Sequence, residues 1–262
     1  MGAQSRGVTD RSRGPRAGFV GRRASRPQWV WVAVGGLLLP LLVAAVWQFW
    51  SGAGPDLRRA ANLSAPGNLV VFFGDSITHG YGVRPGESFP ALVGQALGIP
   101  IVNAGVPGDT MGAGLARMGR DVLPQRPRLV VVEFGGNDFL RRVPVEETLQ
   151  NLDAMVSGLI QAGTMVVILE VNVGAGGDPY LKGFQAVADK YGAVLVPDFM
   201  RGILSNSGLK ADAIHPNAKG HRLIADRVIE VLRPLLQEAD RRRGGSASMA
   251  PDFPLPSFVM VG

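Results

Sequence analysis

From Asn68 onward, short apolar runs alternate with longer stretches in which apolar residues recur every three or four positions. The runs 68–74, 99–104, 128–134, 164–171 and 193–198 are rich in Val, Ile, Leu or Phe, and several are continuous rather than alternating. A continuous run suits a strand buried on both faces. Between the runs, the spacing predicts helices near 89–97, 114–123, 145–162 and 180–191, and a long last helix over about 217–240, after Pro216. Five strands alternating with helices predict a five-stranded parallel sheet covered on both faces, a three-layer αβα sandwich. Right-handed crossovers put the C-terminal end of every strand on one edge, where open α/β sheets bind ligands. No internal repeat is visible.

Polar clusters gather on that edge. "GDS" follows the first strand, "NAGVPGDT" (Asn103–Thr110) the second and "FGGNDF" (Phe134–Phe139) the third. "DAIHPN" (Asp212–Asn217) lies between the fifth strand and the last helix. A catalytic site needs such a convergence.

The front of the chain has a different pattern. Trp29 to Trp50 is apolar except for Gln48, and all four Trp of the protein lie at its two ends. As a helix it is about 33 Å long, enough to cross a bilayer, with aromatic residues at both interfaces. Seven Arg precede it, and only Arg58 and Arg59 follow closely. The positive-inside rule then predicts a single-pass anchor in a bacterial inner membrane, with the domain facing the periplasm or exterior. A cleaved signal ending near Ser51-Gly52-Ala53, and a secreted product, is the alternative. The expected organisation is a basic N-terminus over 1–28, a transmembrane segment over 29–50, a linker over 51–67, a catalytic domain over 68–240 and a disordered tail over 241–262.

The net charge of +6 would suggest a nucleic-acid partner, but it resides in the ends. Residues 56–240 hold 17 basic and 19 acidic side chains, so the domain itself is not basic, and no nucleic-acid partner is expected. The chain has no cysteine, which excludes disulfides, thiolate metal sites and a cysteine nucleophile. Phosphate binding fails on spacing. There is no G-x-x-x-x-G-K-[ST], and Gly80, Gly82 and Gly86 do not match a dinucleotide turn.

A nucleophile fits better. The Ser76 hydroxyl needs a base, and the base needs a carboxylate to hold its tautomer. Of three histidines, His79 lies on the same turn as Ser76 with no carboxylate to orient it, and His221, flanked by Arg and Lys, reads as solvent-facing. His215 has Asp212 three residues before it in a loop held by Pro216. The Ser76 N–H at a helix start, the Gly108 backbone and the Asn137 amide are candidate oxyanion donors. Each residue also has a plainer reading: Ser76 as an N-cap, Asn137 and Gly108 as turn residues, His215 as loop. In this order, each after its own strand, the catalytic reading outweighs them.

These blocks resemble the SGNH branch of the GDSL hydrolases. Ser, Gly, Asn and His are matched by Ser76 in "GDSIT", Gly108 in "GVPGDT", Asn137 in "GGND" and His215 in "DAIHP", over about residues 68–235. The flanking "VNAGVPGDT" and "VVVEFGGND" look most like the bacterial thioesterase/lysophospholipase/arylesterase subgroup. The resemblance implies a flavodoxin-like fold and a serine esterase with no cofactor and no metal. It implies that Ser76 is the nucleophile, His215 the base and Asp212 its orienting group. The Ser76 N–H, the Gly108 N–H and Asn137 would form the oxyanion hole. Two features depart from the family, the glycine-rich "VNVGAGGDPYLKG" after the fourth strand and the membrane segment. The expected activity is hydrolysis of an acyl ester: a lysophospholipid, an acyl thioester or a simple ester. Alternatives are an O-acetylesterase acting on envelope polysaccharide and a catalytically dead binding module. No Trp lies outside 29–50 to stack a sugar.

Overall fold

The computed structural model describes residues 57–172 and 179–244. Five parallel strands form one sheet in the order β2-β1-β3-β4-β5: β1 (Val70–Gly74), β2 (Ile101–Gly105), β3 (Leu129–Glu133), β4 (Met165–Leu169) and β5 (Val194–Val196). The helices are α1 (Ser76–His79), α2 (Phe89–Leu97), α3 (Met111–Asp121), α4 (Gly136–Leu140), α5 (Val145–Gln161), α6 (Pro179–Tyr191) and α7 (Ala218–Arg242).

The continuous apolar strands have the cause expected of them. Val70, Phe72, Leu129 and Val131 pack into one core layer with α2 and α7. Val71, Phe73, Val130 and Val132 pack into the other with α3, α5 and α6. Every residue of β1, β3 and β4 is buried. The strand order reverses between β1 and β3, and that switch point is where such sheets leave a crevice at their carboxyl ends.

Two expectations change, and two others concern residues that are not described. The apolar segment 29–50 and the glycine-rich stretch 173–178 lie outside the described residues. Among the described residues no helix is long and apolar enough to cross a membrane. The stretch read as linker, 51–67, is partly domain. The Asn62 amide donates to the carbonyls of Ile160 and Thr164 (2.8 and 3.0 Å), Ala61 N–H bonds the Gly192 carbonyl, and Leu63 and Ala65 are buried. Asn62 thereby ties the end of α5 to the turn that leads into β4.

The second change is His221, which is fully buried rather than solvent-facing. It lies on the α7 face that also carries Ile224, Ala225 and Val228, and the inward face decides over the charged neighbours in sequence. Its Nδ1 accepts the Phe89 N–H at 3.2 Å, so the ring proton sits on Nε2, which is buried without an acceptor. Burial, and secondarily the charge of His215, pulls its pKa from 6.5 to about 4. The unfolded chain therefore binds a proton between those values that the folded domain does not. Stability is full above the unfolded value and falls as pH drops toward the folded one, by up to about 3 kcal/mol. His221→Gln should abolish that share of the acid sensitivity. Urea titrations of both proteins near neutral pH and at about pH 4.5 measure it; a wild-type-minus-variant difference that does not move with pH would rule it out.

Candidate active site

The site begins where β1 runs out. Asp75 accepts the Ile77 N–H on Oδ1 at 2.9 Å and caps α1, so Asp75, not Ser76, is the N-cap. Ser76 is left as the first helical residue, nearly buried, with its hydroxyl free for other work. Its N–H has no carbonyl one turn behind it to bond.

His215 reaches Ser76 from the far end of the domain. Its Nε2 lies 3.0 Å from Ser76 Oγ, and its Nδ1 lies 2.7 Å from Asp212 Oδ2. The loop is built to hold this pose. Asp212 Oδ1 accepts the N–H groups of Ile214 and His215, Ala211 N–H bonds the His215 carbonyl, and Lys210 pairs with Pro216 as a short antiparallel bridge. The His215 backbone and side-chain bonds, followed by the Ile214 N–H, hold the Asp212 carboxyl down at about 2. It is thus an anion that accepts the Nδ1 proton at any pH near neutrality. The Tyr81 ring packs against the imidazole with centroids 4.5 Å apart.

The second and third loops close the site. Asp109 N–H bonds the Val106 carbonyl across a turn whose third residue, Gly108, has φ +85°, a conformation that other side chains rarely adopt. Arg141 donates to the Gly108 carbonyl at 2.6 Å. Asn137 sits in the first turn of α4. Its amide donates to Asp75 Oδ2 at 2.9 Å and to the Asp109 carbonyl at 3.0 Å, so one side chain ties the loops after β1, β2 and β3 together. All five residues singled out in the sequence, Ser76, Gly108, Asn137, Asp212 and His215, thus meet at one sheet edge. His79 does not join them; its Nδ1 faces the Gly105 carbonyl.

Beside Ser76 and His215 opens a cavity of about 220 Å³ whose other walls are largely apolar: Ile77, Phe139, Leu140, Met200, Leu204 and Ile214. The arrangement can pass a proton from a hydroxyl to an imidazole held by a carboxylate, next to a largely apolar wall. No group of three or more His, Asp or Glu suited to a metal exists among the described residues.

Two supporting residues escaped the sequence reading. Arg117 is buried with its guanidinium on the carbonyls of Gly74 and Ala104, on Asp109 and on Asp121, and over the Phe73 ring at 4.5 Å. It clamps the ends of β1 and β2 to the loop that carries Gly108. Glu133 ends β3, fully buried. An acid closing the run "LVVVE" was the available signal for it.

The chain matches the family model described as GDSL-like Lipase/Acylhydrolase family over residues 72–223. It is similar to Esterase TesA of Pseudomonas aeruginosa, 33% identical over 186 residues that cover 66% of this chain and 91% of that protein. It is similar to Thioesterase 1/protease 1/lysophospholipase L1 of Escherichia coli, 31% identical over 181 residues that cover 66% of this chain and 87% of that protein. Among solved structures, the psychrotrophic esterase EstA from Pseudoalteromonas sp. superposes with a TM-score of 0.60 at 27% identity, over 65% of this chain and all of that one.

The Arg117 clamp is testable by itself. Removing one member of a buried charge network leaves the others desolvated and unpaired, at a typical cost of about 3–5 kcal/mol. Arg117→Met should therefore lower the unfolding free energy by about 3 kcal/mol or more in a denaturant titration. A loss below about 1 kcal/mol would mean that the network is not holding the loop.

Proposed function

The chain belongs to the GDSL-like lipase/acylhydrolase family and is a carboxylic ester hydrolase. From that premise we propose that it cleaves acyl esters through a Ser76–His215–Asp212 triad and an acyl-enzyme intermediate. The observation that carries this reading is the Ser76 Oγ to His215 Nε2 to Asp212 Oδ2 relay, at 3.0 and 2.7 Å, between residues 139 apart in sequence. Ser76 Oγ attacks the acyl carbonyl while His215 Nε2 takes its proton, and Asp212 keeps the other ring proton on Nδ1. The tetrahedral oxyanion takes donors from the Ser76 N–H, the Gly108 N–H and the Asn137 amide. In the free site that amide donates to Asp75 and Asp109, and the oxyanion displaces one of these acceptors. The intermediate collapses as His215 returns the proton to the leaving alcohol or thiol. Water, activated by the same imidazole, then releases the acid.

The apolar wall supports an acyl chain longer than acetyl, as in a lysophospholipid, an acyl thioester or a simple medium-chain ester. It argues against the O-acetylesterase alternative, as does the confinement of every Trp to 29–50. We further propose that residues 29–50 anchor the enzyme in the inner membrane with this domain outside, close to membrane-borne substrates. The seven Arg before the segment support that orientation.

Ser76→Ala should abolish hydrolysis and labelling by a fluorophosphonate while leaving the unfolding transition intact; activity near wild type would remove Ser76 from the mechanism. Asn137→Ala should lower kcat by roughly 10²–10³ with little change in KM; a loss confined to KM would recast the amide as a ground-state binder. Across p-nitrophenyl esters, kcat/KM should climb from acetate as methylenes enter the cavity, each worth about 0.8 kcal/mol, roughly fourfold. An acetate optimum would favour the sugar reading. Alkaline carbonate should leave the full chain in the membrane pellet, whereas a soluble product starting near Gly54 would replace the anchor with a cleaved signal.

A further inference from the structure

The strand that leads to Asn137 ends on an acid that hydrolysis as written does not use. Glu133 stands in register with Gly74 of β1 and is fully buried. Its Oε2 accepts both the backbone N–H and the hydroxyl of Thr78, at 3.2 and 2.7 Å, two residues after Ser76 on α1. Its Oε1 is buried without a donor. Besides Thr78, Asp75 lies within hydrogen-bonding reach of Glu133 through both its backbone N–H and its carboxyl, itself 2% exposed. Asp75 is already committed on both oxygens, Oδ1 to the Ile77 N–H and Oδ2 to the Asn137 amide.

Two carboxylates in contact away from water cannot both stay ionised without a large penalty. A single proton between them removes the repulsion and gives the donorless oxygen a partner. We propose that Glu133 is a positioning residue of the hydrolytic site: it carries one proton, donates it to Asp75, and so locks the nucleophile helix and aims the Asn137 amide. The inference rests on the roles given above to Ser76 and Asn137.

The two environments assign the proton. Burial, then the negative charge of Asp75, pushes Glu133 well above the usual glutamate range. Asp75 rises by burial only to about 6, because Ile77, Glu133, Asn137 and His215 favour its anion. Other charged groups near the pair are engaged elsewhere. On α3, Arg117 is spent on the Gly74 and Ala104 carbonyls, Asp109 and Asp121. On α1, His79 faces the Gly105 carbonyl. Across the cleft His215 is held by Asp212. The shared proton leaves one negative charge, not two, beneath the position where the oxyanion develops, and a second charge there would oppose catalysis. The pairing also accounts for the glycine of "GDS". A Cβ on Gly74 would lie 2.8 Å from Glu133 Oε2 and collide with Thr78 Oγ1.

Glutamine mimics the protonated acid, since its amide donates to Asp75 while its carbonyl accepts from Thr78. Glu133→Gln should keep kcat within about threefold of wild type, and Glu133→Ala should lose roughly tenfold or more in kcat with KM little changed. Infrared difference spectra of the full chain at about pH 7.5 should show a protonated-carboxyl band in wild type and in Ser76→Ala that is absent from Glu133→Gln. Because the folded wild type holds a proton that its unfolded chain releases, its Tm should fall relative to Glu133→Gln as pH rises from about 5 to about 8. The spectroscopic and thermal readouts need no turnover, so they decide the proton's place even if the nucleophile assignment fails, or if Glu133→Ala does not fold. Absence of the band in wild type, or an equal loss of kcat in the glutamine and alanine variants, would overturn the proposal.

Discussion

The hydrogen bond from the Asn137 amide to the Asp75 carboxyl is the contact on which the rest of the site depends. It joins the two strands that flank the switch point, β1 and β3, at the edge where each strand turns polar. Asp75 is also the cap of the helix that begins at Ser76, so whatever moves Asn137 moves the Ser76 backbone. The same amide bonds the Asp109 carbonyl, and the loop with Gly108 joins the assembly. Three loops from three strands thus share one side chain, and only the His215 loop arrives from elsewhere. That loop needs its own stiffening. Asn217 provides part of it by capping α7 with its oxygen and tying the carbonyls of Gly208 and Lys210 with its amide.

Much of this was legible in the residues because two buried faces leave a strand no freedom in composition. The runs at 70–74, 129–133 and 165–169 are apolar throughout since alternate residues face different helical layers. The meeting of Ser76, Asp212 and His215 was legible because Asp-x-x-His before proline, in order after "GDS" and "GGND", offered an imidazole with its own carboxylate. His221 was misread for a physical reason. Its immediate neighbours are Gly220 and Arg222, and the local charge suggested solvent, yet positions 221, 224, 225, 228 and 232 form one stripe of α7. Period outweighs neighbours on a helix of 25 residues. The packing of Asn62 was hidden because a single asparagine in a polar stretch looks the same whether it meets water or the carbonyls of Ile160 and Thr164.

Glu133 and Arg117 were harder still. Each is an ionisable residue bonded to groups on other elements, and beyond the acid that closes "LVVVE" the sequence carries no sign of those pairings. They lie on different sides of the same strand end, Glu133 against Thr78 and Arg117 on the Gly74 carbonyl. Between them they hold the last residue before Asp75 from both sides.

Such burial is costly in a domain of this size. Asp75, Asp121, Arg117 and Glu133 are each at most 8% exposed, and a buried ion pair or acid pair seldom stabilises more than a well-packed apolar replacement would. The two apolar layers offset that cost, with Phe72, Phe73, Phe89 and Phe134 fully buried on either side of the sheet. The polar network therefore makes sense as geometry rather than as stability. A serine hydroxyl at 3.0 Å from an imidazole keeps that geometry only if strand end, helix start and the Gly108 loop hold still together. Hydrogen bonds to fixed carboxylates and carbonyls impose that order through direction, which apolar contacts cannot do. The other side of the cleft is apolar and exposed at Phe139, Leu140, Leu204 and Ile214. One face of the crevice is polar and tied by directional bonds around Ser76, and the other is apolar and open; under the proposed mechanism charge develops at the first and an acyl chain lies along the second.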